Sequence, residues 1–357
     1  MSRINATCGC LLLCWVVPVT AQQPRHAPAV LERIALGSCA RQNDPQPIWD
    51  AIVAAGPDLF LFLGDNIYAD TEDMEVMRAK YAQLGRIAGF RKLRDTCPVL
   101  AVWDDHDYGV NDGGSEFPKK EESQQLFNDF FEVPPDSPRR RRAGIYDASV
   151  IGPVGRRVQV ILLDTRYFRG PLKVRPRALR KSYLGDYQPN LDPTVTMLGQ
   201  QQWAWLAQQL QVPAELRIIA SSIQVLAGEH GWECWGNLPL QRTKLFRTIA
   251  ASGASGVVFV SGDRHRAELS AAPSDETGVN YTLYDLTSSS LNQPRKGHKD
   301  EPNRLRVGQR FSRENFGMIT IDWKANDPAL LLAVYGMDGE QVMGHTVHLG
   351  ELRARQR

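Results

Sequence analysis

Short apolar runs that stop abruptly at polar residues recur along this chain. Residues 59–63, Leu59-Phe60-Leu61-Phe62-Leu63, have strand length and no polar position, and Gly64-Asp65-Asn66-Ile67-Tyr68-Ala69-Asp70 follows at once. An unbroken run of that length reads as a strand buried on both faces, the pattern of a parallel sheet covered by helices. The same layout appears at 31–36 before Gly37-Ser38-Cys39, at 98–103 before Asp104-Asp105-His106-Asp107, and at 158–163 before Asp164-Thr165-Arg166. It returns at 216–220 before Ser221-Ser222-Ile223-Gln224, at 257–260 before Ser261-Gly262-Asp263-Arg264-His265, and at 281–286 before Thr287-Ser288-Ser289-Ser290.

Between these runs the apolar positions change to helical spacing. Ile48, Trp49, Ile52 and Val53 mark a helix over 46–55, which Gly56-Pro57-Asp58 ends. Met74, Met77, Tyr81 and Leu84 mark a second over 74–84, and a charged helix is expected over 119–131. Trp203, Leu206 and Leu210 mark one over 197–210, and a further helix over 241–251 has Gly253 placed as its C-cap. Residues 170–193 lack a clear period and read as a long surface loop, a candidate lid. The arginine run 139–142 follows a proline-rich stretch and reads as a solvated loop, since charge runs face water. Past residue 318 the character changes. The runs 318–323 and 330–335 have no helix between them, and a turn at 337–340 leads into 341–349. The pattern therefore predicts an α/β protein whose parallel strands are closed by antiparallel ones at the C-terminus.

Composition adds bounds. With 43% hydrophobic and 23% charged residues over 357 positions, the chain has the make-up of an ordinary globular protein, so disordered and fibrous classes are excluded. A net charge of +2 points to no nucleic-acid partner and no anionic membrane. The N-terminus stands apart: Arg3, an apolar stretch at 11–17 too short to span a bilayer, and Val19-Thr20-Ala21 before Gln22 have the form of a cleavable signal peptide over 1–21. The cysteines ahead of Ala21 lack a lipoprotein acylation box, and no Arg-Arg pair marks twin-arginine export. A periplasmic or secreted mature chain, 22–357, is expected as a single domain with no transmembrane anchor. It retains Cys39, Cys97 and Cys234, an odd set that leaves a thiol unpaired, and metal ligation would protect such a thiol.

Collecting the polar clusters at the strand ends gives Cys39, Asp65, Tyr68, Asp105, His106, Asp164, Arg166, Gln224, Asp263 and His265. In open α/β sheets ligands gather at the carboxyl ends of strands. One thiolate, one phenolate, one imidazole and several carboxylates suit two ions of unlike hardness better than a mononuclear zinc site.

The ordered set Gly37-Ser38-Cys39, Gly64-Asp65-Asn66-Ile67-Tyr68-Ala69-Asp70, Trp103-Asp104-Asp105-His106-Asp107, Leu163-Asp164-Thr165-Arg166 and Ser261-Gly262-Asp263-Arg264-His265 resembles the motifs of the alkaline phosphatase D family. That family lies within the calcineurin-like metallophosphoesterases, and the tyrosine motif is also similar to that of purple acid phosphatases. The resemblance runs from residue 37 to 265. It implies a layered β-sandwich of mixed sheets flanked by helices and a two-metal site. Asp65 would bridge the ions; Cys39, Tyr68 and His265 would complete the shell of a trivalent iron; Asp105, Asp263 and Gln224 would hold a hard divalent ion such as calcium. A metal-activated hydroxide would attack phosphorus, while His106, oriented by Asp107, protonates the leaving alcohol. Arg166 would either grip a non-bridging phosphate oxygen or pair with Asp164.

Bland alternatives stand beside these roles. Tyr68 has a packing reading, Cys39 that of a buried inert thiol, and Asp104 that of a cap or supporting group. His230, Trp232 and Trp235 are read as structural. The expected mature chain begins shortly before its first strand, so it would lack the N-terminal β-sandwich domain of longer relatives, and its export signal differs from the twin-arginine type; both bear on substrate range. The expected function is an exported metal-dependent phosphoesterase acting on small phosphomonoesters, phosphodiesters or both. Two alternatives are a phospholipase-like phosphodiesterase of the same fold and a non-catalytic metal- or phosphate-binding protein.

Overall fold

Parallel pairing of the strands β1 (Arg33–Gly37), β2 (Leu59–Leu63) and β3 (Val99–Val102) builds half of one sheet. The computed structural model describes residues 29–180, 184–295 and 300–353. The signal segment expected over 1–21 lies outside them. Every residue of β2 is buried, as its unbroken apolar run requires. On one face Phe60 and Phe62 pack edge-on against Trp49 of the helix α1 (Ile48–Ala54), with centroids 5.7 and 5.9 Å apart, and Phe90 of a later helix joins them.

The second sheet contains β4 (Asp147–Ile151), β5 (Val158–Leu162), β8 (Leu216–Ser221), β9 (Val257–Ser261), β10 (Ala267–Ala272), β11 (Leu283–Ser288) and β12 (Arg306–Phe311), after a small hairpin of β6 (Lys173–Val174) and β7 (Tyr187–Gln188). Its order is β12-β10-β11-β9-β8-β5-β4, with β5, β8, β9 and β11 parallel. The chain then returns to the first sheet as β13 (Asn315–Asp322), β14 (Ala329–Gly336) and β15 (Gln341–His348), all antiparallel, giving the order β15-β14-β13-β1-β2-β3. The two sheets face each other, β2 over β8 and β13 over β11, with helices outside. This is the mixed, layered α/β sandwich with antiparallel closing strands.

Helices α2 (Met74–Arg86), α3 (Ala88–Thr96), α4 (Asp105–Tyr108) and α5 (Lys120–Phe130) cover the first sheet's side of the chain. The helix Pro239–Ser252 ends at Gly253 with φ 67°, the left-handed C-cap expected of it. Several elements are not legible in the pattern, among them three longer strands and one helix. β4, β10 and β12 carry buried or half-buried polar residues such as Ser149, Glu268 and Arg306, and α3 follows α2 with no glycine or proline between them. The stretch 170–193 is not a free loop: Tyr187 donates its N–H to the Gly231 carbonyl at 2.8 Å and its hydroxyl to Asp112 at 2.5 Å. Among the described residues no helix is long and apolar enough to cross a membrane.

Parallel strands present their carboxyl ends at one rim. The turns after β1, β2, β3, β5, β8, β9 and β11 meet there, and the polar clusters of the sequence meet with them.

Candidate metal centre

The turns that carry these clusters are strained. Cys39, Asp65, Asp263 and His265 have φ of 59°, 50°, 66° and 54°, the left-handed region that costs an L-residue about 1–2 kcal/mol. Such strain persists only where the surroundings enforce it, and it concentrates at functional sites. Here the Ala40 N–H donates to the Asp65 carbonyl at 2.9 Å and the Leu291 N–H to the Ser38 carbonyl at 2.9 Å, locking the turns together. Gly64 makes the close approach possible: at φ 94° an added Cβ would lie 2.5 Å from the Asp104 Cβ.

Asp65 is the meeting point. Its Oδ2 lies 3.2 Å from the Cys39 sulfur and accepts from the Tyr68 hydroxyl at 3.3 Å, while its Oδ1 is buried with no hydrogen-bond partner. Cys39, Asp65 and His265 offer donor atoms that all lie within 4.8 Å of one another; so do Asp65, Asp105 and His106, and so do Asp65, Asp104 and Asp263. Asp65 belongs to each of these groups. His265 is presented as a ligand would be. Its Nδ1 lies 2.5 Å from the Gln293 carbonyl, an acceptor only, so Nδ1 carries the proton and Nε2 keeps its lone pair. Ser289 accepts the His265 N–H at 2.7 Å and lies 3.1 Å from the Cys39 sulfur, leaving its hydroxyl proton for that sulfur.

The electrostatics of the cluster suit a cation. Burial pushes the Cys39 thiol well above its ordinary range, and the Asp65 charge pushes it further. Burial likewise raises Asp65, Asp104 and Asp263, the last two against the opposing pull of Arg166 and Arg264 respectively. So many acids packed in one dry volume cannot all ionise alone, because an unpaired buried charge is costly. A bound cation reverses that balance, and soft sulfur, phenol, imidazole and hard carboxylates together match metal ions. Burial, aided by the Arg295 charge, lowers His265 to about 3, which keeps its imidazole neutral for ligation.

The family model for PhoD-like phosphatases matches residues 34–325, which contain every group just described. The chain belongs to the PhoD-like phosphatase family. A solved structure of PhoD superposes with a TM-score of 0.69 at 17% identity, covering 92% of this chain and 74% of that one. GAP50, the anchor in the inner membrane complex of Plasmodium, superposes at 0.54 and 12% identity, covering 92% of this chain and 90% of that one. At these identities the likeness is one of fold. No curated protein matches the chain. Membership makes it a phosphatase-type hydrolase of phosphate esters, and its rim of acids, cysteine and histidine has groups able to hold metal.

The contacts at the rim also correct some of the expected roles. Cys39, Asp65, Tyr68, Asp105, His106, Asp263 and His265 come together. Asp107 does not orient His106. Its carboxylate accepts from the backbone N–H groups of Asp65 and Asp104, at 3.1 and 2.7 Å, and from the Asn66 amide at 2.5 Å, so it knots the two turns together. The partner of His106 is Asp70, whose Oδ1 lies 2.6 Å from Nδ1. Gln224 does not face the cluster with a spare oxygen. Its amide donates to Glu268 and Thr287 at 2.7 and 2.9 Å, and its carbonyl accepts from His230 Nε2 at 3.1 Å. Arg166 pairs through its guanidinium with Asp104 and Glu233 and not with Asp164. Wholly buried, its guanidinium meets Asp104 at 2.5 Å and Glu233 at 2.6 Å, while Asp164 accepts N–H groups of Trp103, Ile145, Arg166 and Tyr167.

Asp104 joins the cluster with an Oδ2 that is buried and unpartnered. The sequence alone gives the ligand place at this turn to its neighbour Asp105, since adjacent acids leave the register open. Glu233 and Asp112 also reach Asp105, and no local pattern distinguishes them from other loop acids.

Proposed function

We propose that this chain is an exported two-metal phosphoesterase hydrolysing small phosphomonoesters, phosphodiesters or both. The signal-like segment ending at Ala21 supports export to the periplasm or beyond, with 22–357 as a single metallophosphoesterase domain. The observation that carries the reading is Asp65: it is shared by three groups of potential ligands and has a buried oxygen with no partner.

In this reading Asp65 would be shared by the two ions; Cys39, Tyr68 and His265 would hold trivalent iron; and Asp105 and Asp263, with Asp104 added, would hold a divalent ion such as calcium. Two ions held there supply the Lewis acidity that makes a water nucleophilic at neutral pH. The chain's own residues handle the leaving group. Burial favours neutral His106, and the contact with Asp70, which is not among the metal ligands, opposes it and favours the protonated ring. Since Nδ1–H donates to Asp70, Nε2 is the nitrogen that would give its proton to the departing oxygen. The Tyr68 ring, 4.4 Å from the imidazole, holds it from one side. Arg166 balances the charge of Asp104 and fixes that carboxylate.

The test is metal analysis with the visible spectrum, alongside hydrolysis of p-nitrophenyl phosphate. Ferric iron bound by phenolate and thiolate gives a charge-transfer band, and Asp65→Asn removes both the band and turnover. An iron-free, colourless but fully active protein rejects the roles of Cys39 and Tyr68. Protein with both metals bound that stays inert towards aryl phosphates across pH rejects the enzyme reading, and preference for glycerophosphocholine diesters redirects it to a phospholipase-like activity.

A further inference from the structure

Most arginines near the centre are already spent on buried carboxylates. Arg166 pairs with Asp104 and Glu233, Arg264 with Asp263 and Glu301, and Arg266 with Glu301. Two others differ. Arg41 is 45% exposed, and its one carboxylate neighbour, Asp44, is 51% exposed and 4.0 Å away. Its guanidinium lies 4.8 Å from the centroid of the Tyr68 ring. Arg295 is half-buried, forms no ion pair among the described residues, and sits 5.8 Å from the Trp232 ring centroid.

Both hang from the turns that carry proposed ligands. Arg41 follows Cys39 by two positions, and Asn292 holds its backbone from both sides, accepting from the N–H at 2.7 Å and donating to the carbonyl at 2.9 Å. The Arg295 N–H points to the His265 carbonyl at 3.4 Å. Thus one guanidinium lies against the ring of Tyr68 and the other near enough to His265 for its charge to act on that imidazole. Stacking on Tyr68 and Trp232 orients them but leaves their five N–H donors largely unused. Planar forks of this kind match phosphate oxygens in pairs.

We propose that Arg41 and Arg295 are the specificity-determining pair of this site, a clamp that favours a phosphoryl group bearing two negative charges. The favoured substrate class is then the phosphomonoester dianion over the phosphodiester monoanion. This rests on the phosphoesterase reading above and names its substrate class. A diester has one charge fewer and an ester arm where the second guanidinium would bind.

The test uses metal-loaded protein and the variants Arg41→Gln, Arg295→Gln and the double substitution. The ratio of kcat/KM for p-nitrophenyl phosphate to that for bis-p-nitrophenyl phosphate is expected to fall about tenfold or more per arginine, the scale of one charge-assisted contact. The loss should lie in KM, and Arg41→Lys should restore only part of it. Calorimetry with inorganic phosphate should show a weakening of the same size. A ratio and a phosphate affinity unchanged in the double variant overturn the proposal. Phosphate binding requires no turnover, so a wild type that binds phosphate through both arginines yet hydrolyses neither ester overturns the phosphoesterase reading alone. Rim side chains of this exposure carry little of the fold, and equal melting temperatures verify that.

Discussion

At the scale of single residues, the pairing of His106 with Asp70 is the feature with the sharpest consequence. The motif placed Asp107 next to His106 in sequence, but the short helix α4 turns neighbouring side chains in different directions, and Asp107 points back into the turns it caps. Asp70 reaches His106 only because the chain between β2 and α2 folds over α4, with the Ala69 N–H donating to the His106 carbonyl at 3.0 Å. Asp70→Asn is expected to keep the fold and weaken the charge that favours the imidazolium. Hydrolysis of esters with poor leaving groups should fall by about a hundredfold, the lower range for a general acid, while activated aryl esters suffer less. A leaving-group series measures the difference, and equal losses across it would remove Asp70 from this role. Asp107→Asn should act otherwise, loosening the turns and weakening metal affinity for every substrate alike.

At the scale of elements, β2 links the hydrophobic core to the chemistry. Leu59 to Leu63 is buried on both faces, and its carboxyl end delivers Gly64 and Asp65 to the rim. Phe62, fully buried against Trp49 and Phe90, anchors the strand in register with β1 and β3. Phe62→Ala is therefore expected to cost about 3–5 kcal/mol of stability, measured by urea unfolding, because the aromatic cluster cannot close over the cavity. Metal affinity of the folded variant should change little, since the truncated side chain faces the helices and not the rim. The strands that the pattern missed share a reason. Glu268 on β10 is buried, but it is paired with Arg306 of β12 at 2.6 Å and with Gln224, so its burial depends on partners far along the chain.

At the scale of the whole molecule, long-range burial also sets the acid behaviour. His230 is enclosed between Gln224 and the Trp232 N–H, and burial first, the Arg264 charge second, drive its pKa down to about 3. Unfolded, it returns to about 6.5. Between those values only the unfolded chain binds the proton, so His230 removes stability as pH falls from about 6.5 towards 3, by up to about 1.4 kcal/mol per pH unit, and takes none away above that window. In His230→Gln the urea midpoint should fall less steeply between pH 6.5 and 4 than in the parent. An identical slope would show that another group governs acid unfolding.

Much of this protein is determined locally. Unbroken apolar runs with abrupt polar ends are enough to set strand positions, parallel pairing and the residues at the strand ends, because burial on both faces and a turn are properties of a few consecutive side chains. Cys39, Asp65, Tyr68, Asp105, Asp263 and His265 were legible for that reason. Which of two adjacent acids faces the centre, which carboxylate holds His106 and what the Arg166 guanidinium pairs with depend on partners 36 to 67 residues away in the chain. Hydrogen bonds and ion pairs between separate turns are formed only when two sheets bring those turns to one rim, and no local pattern encodes the result.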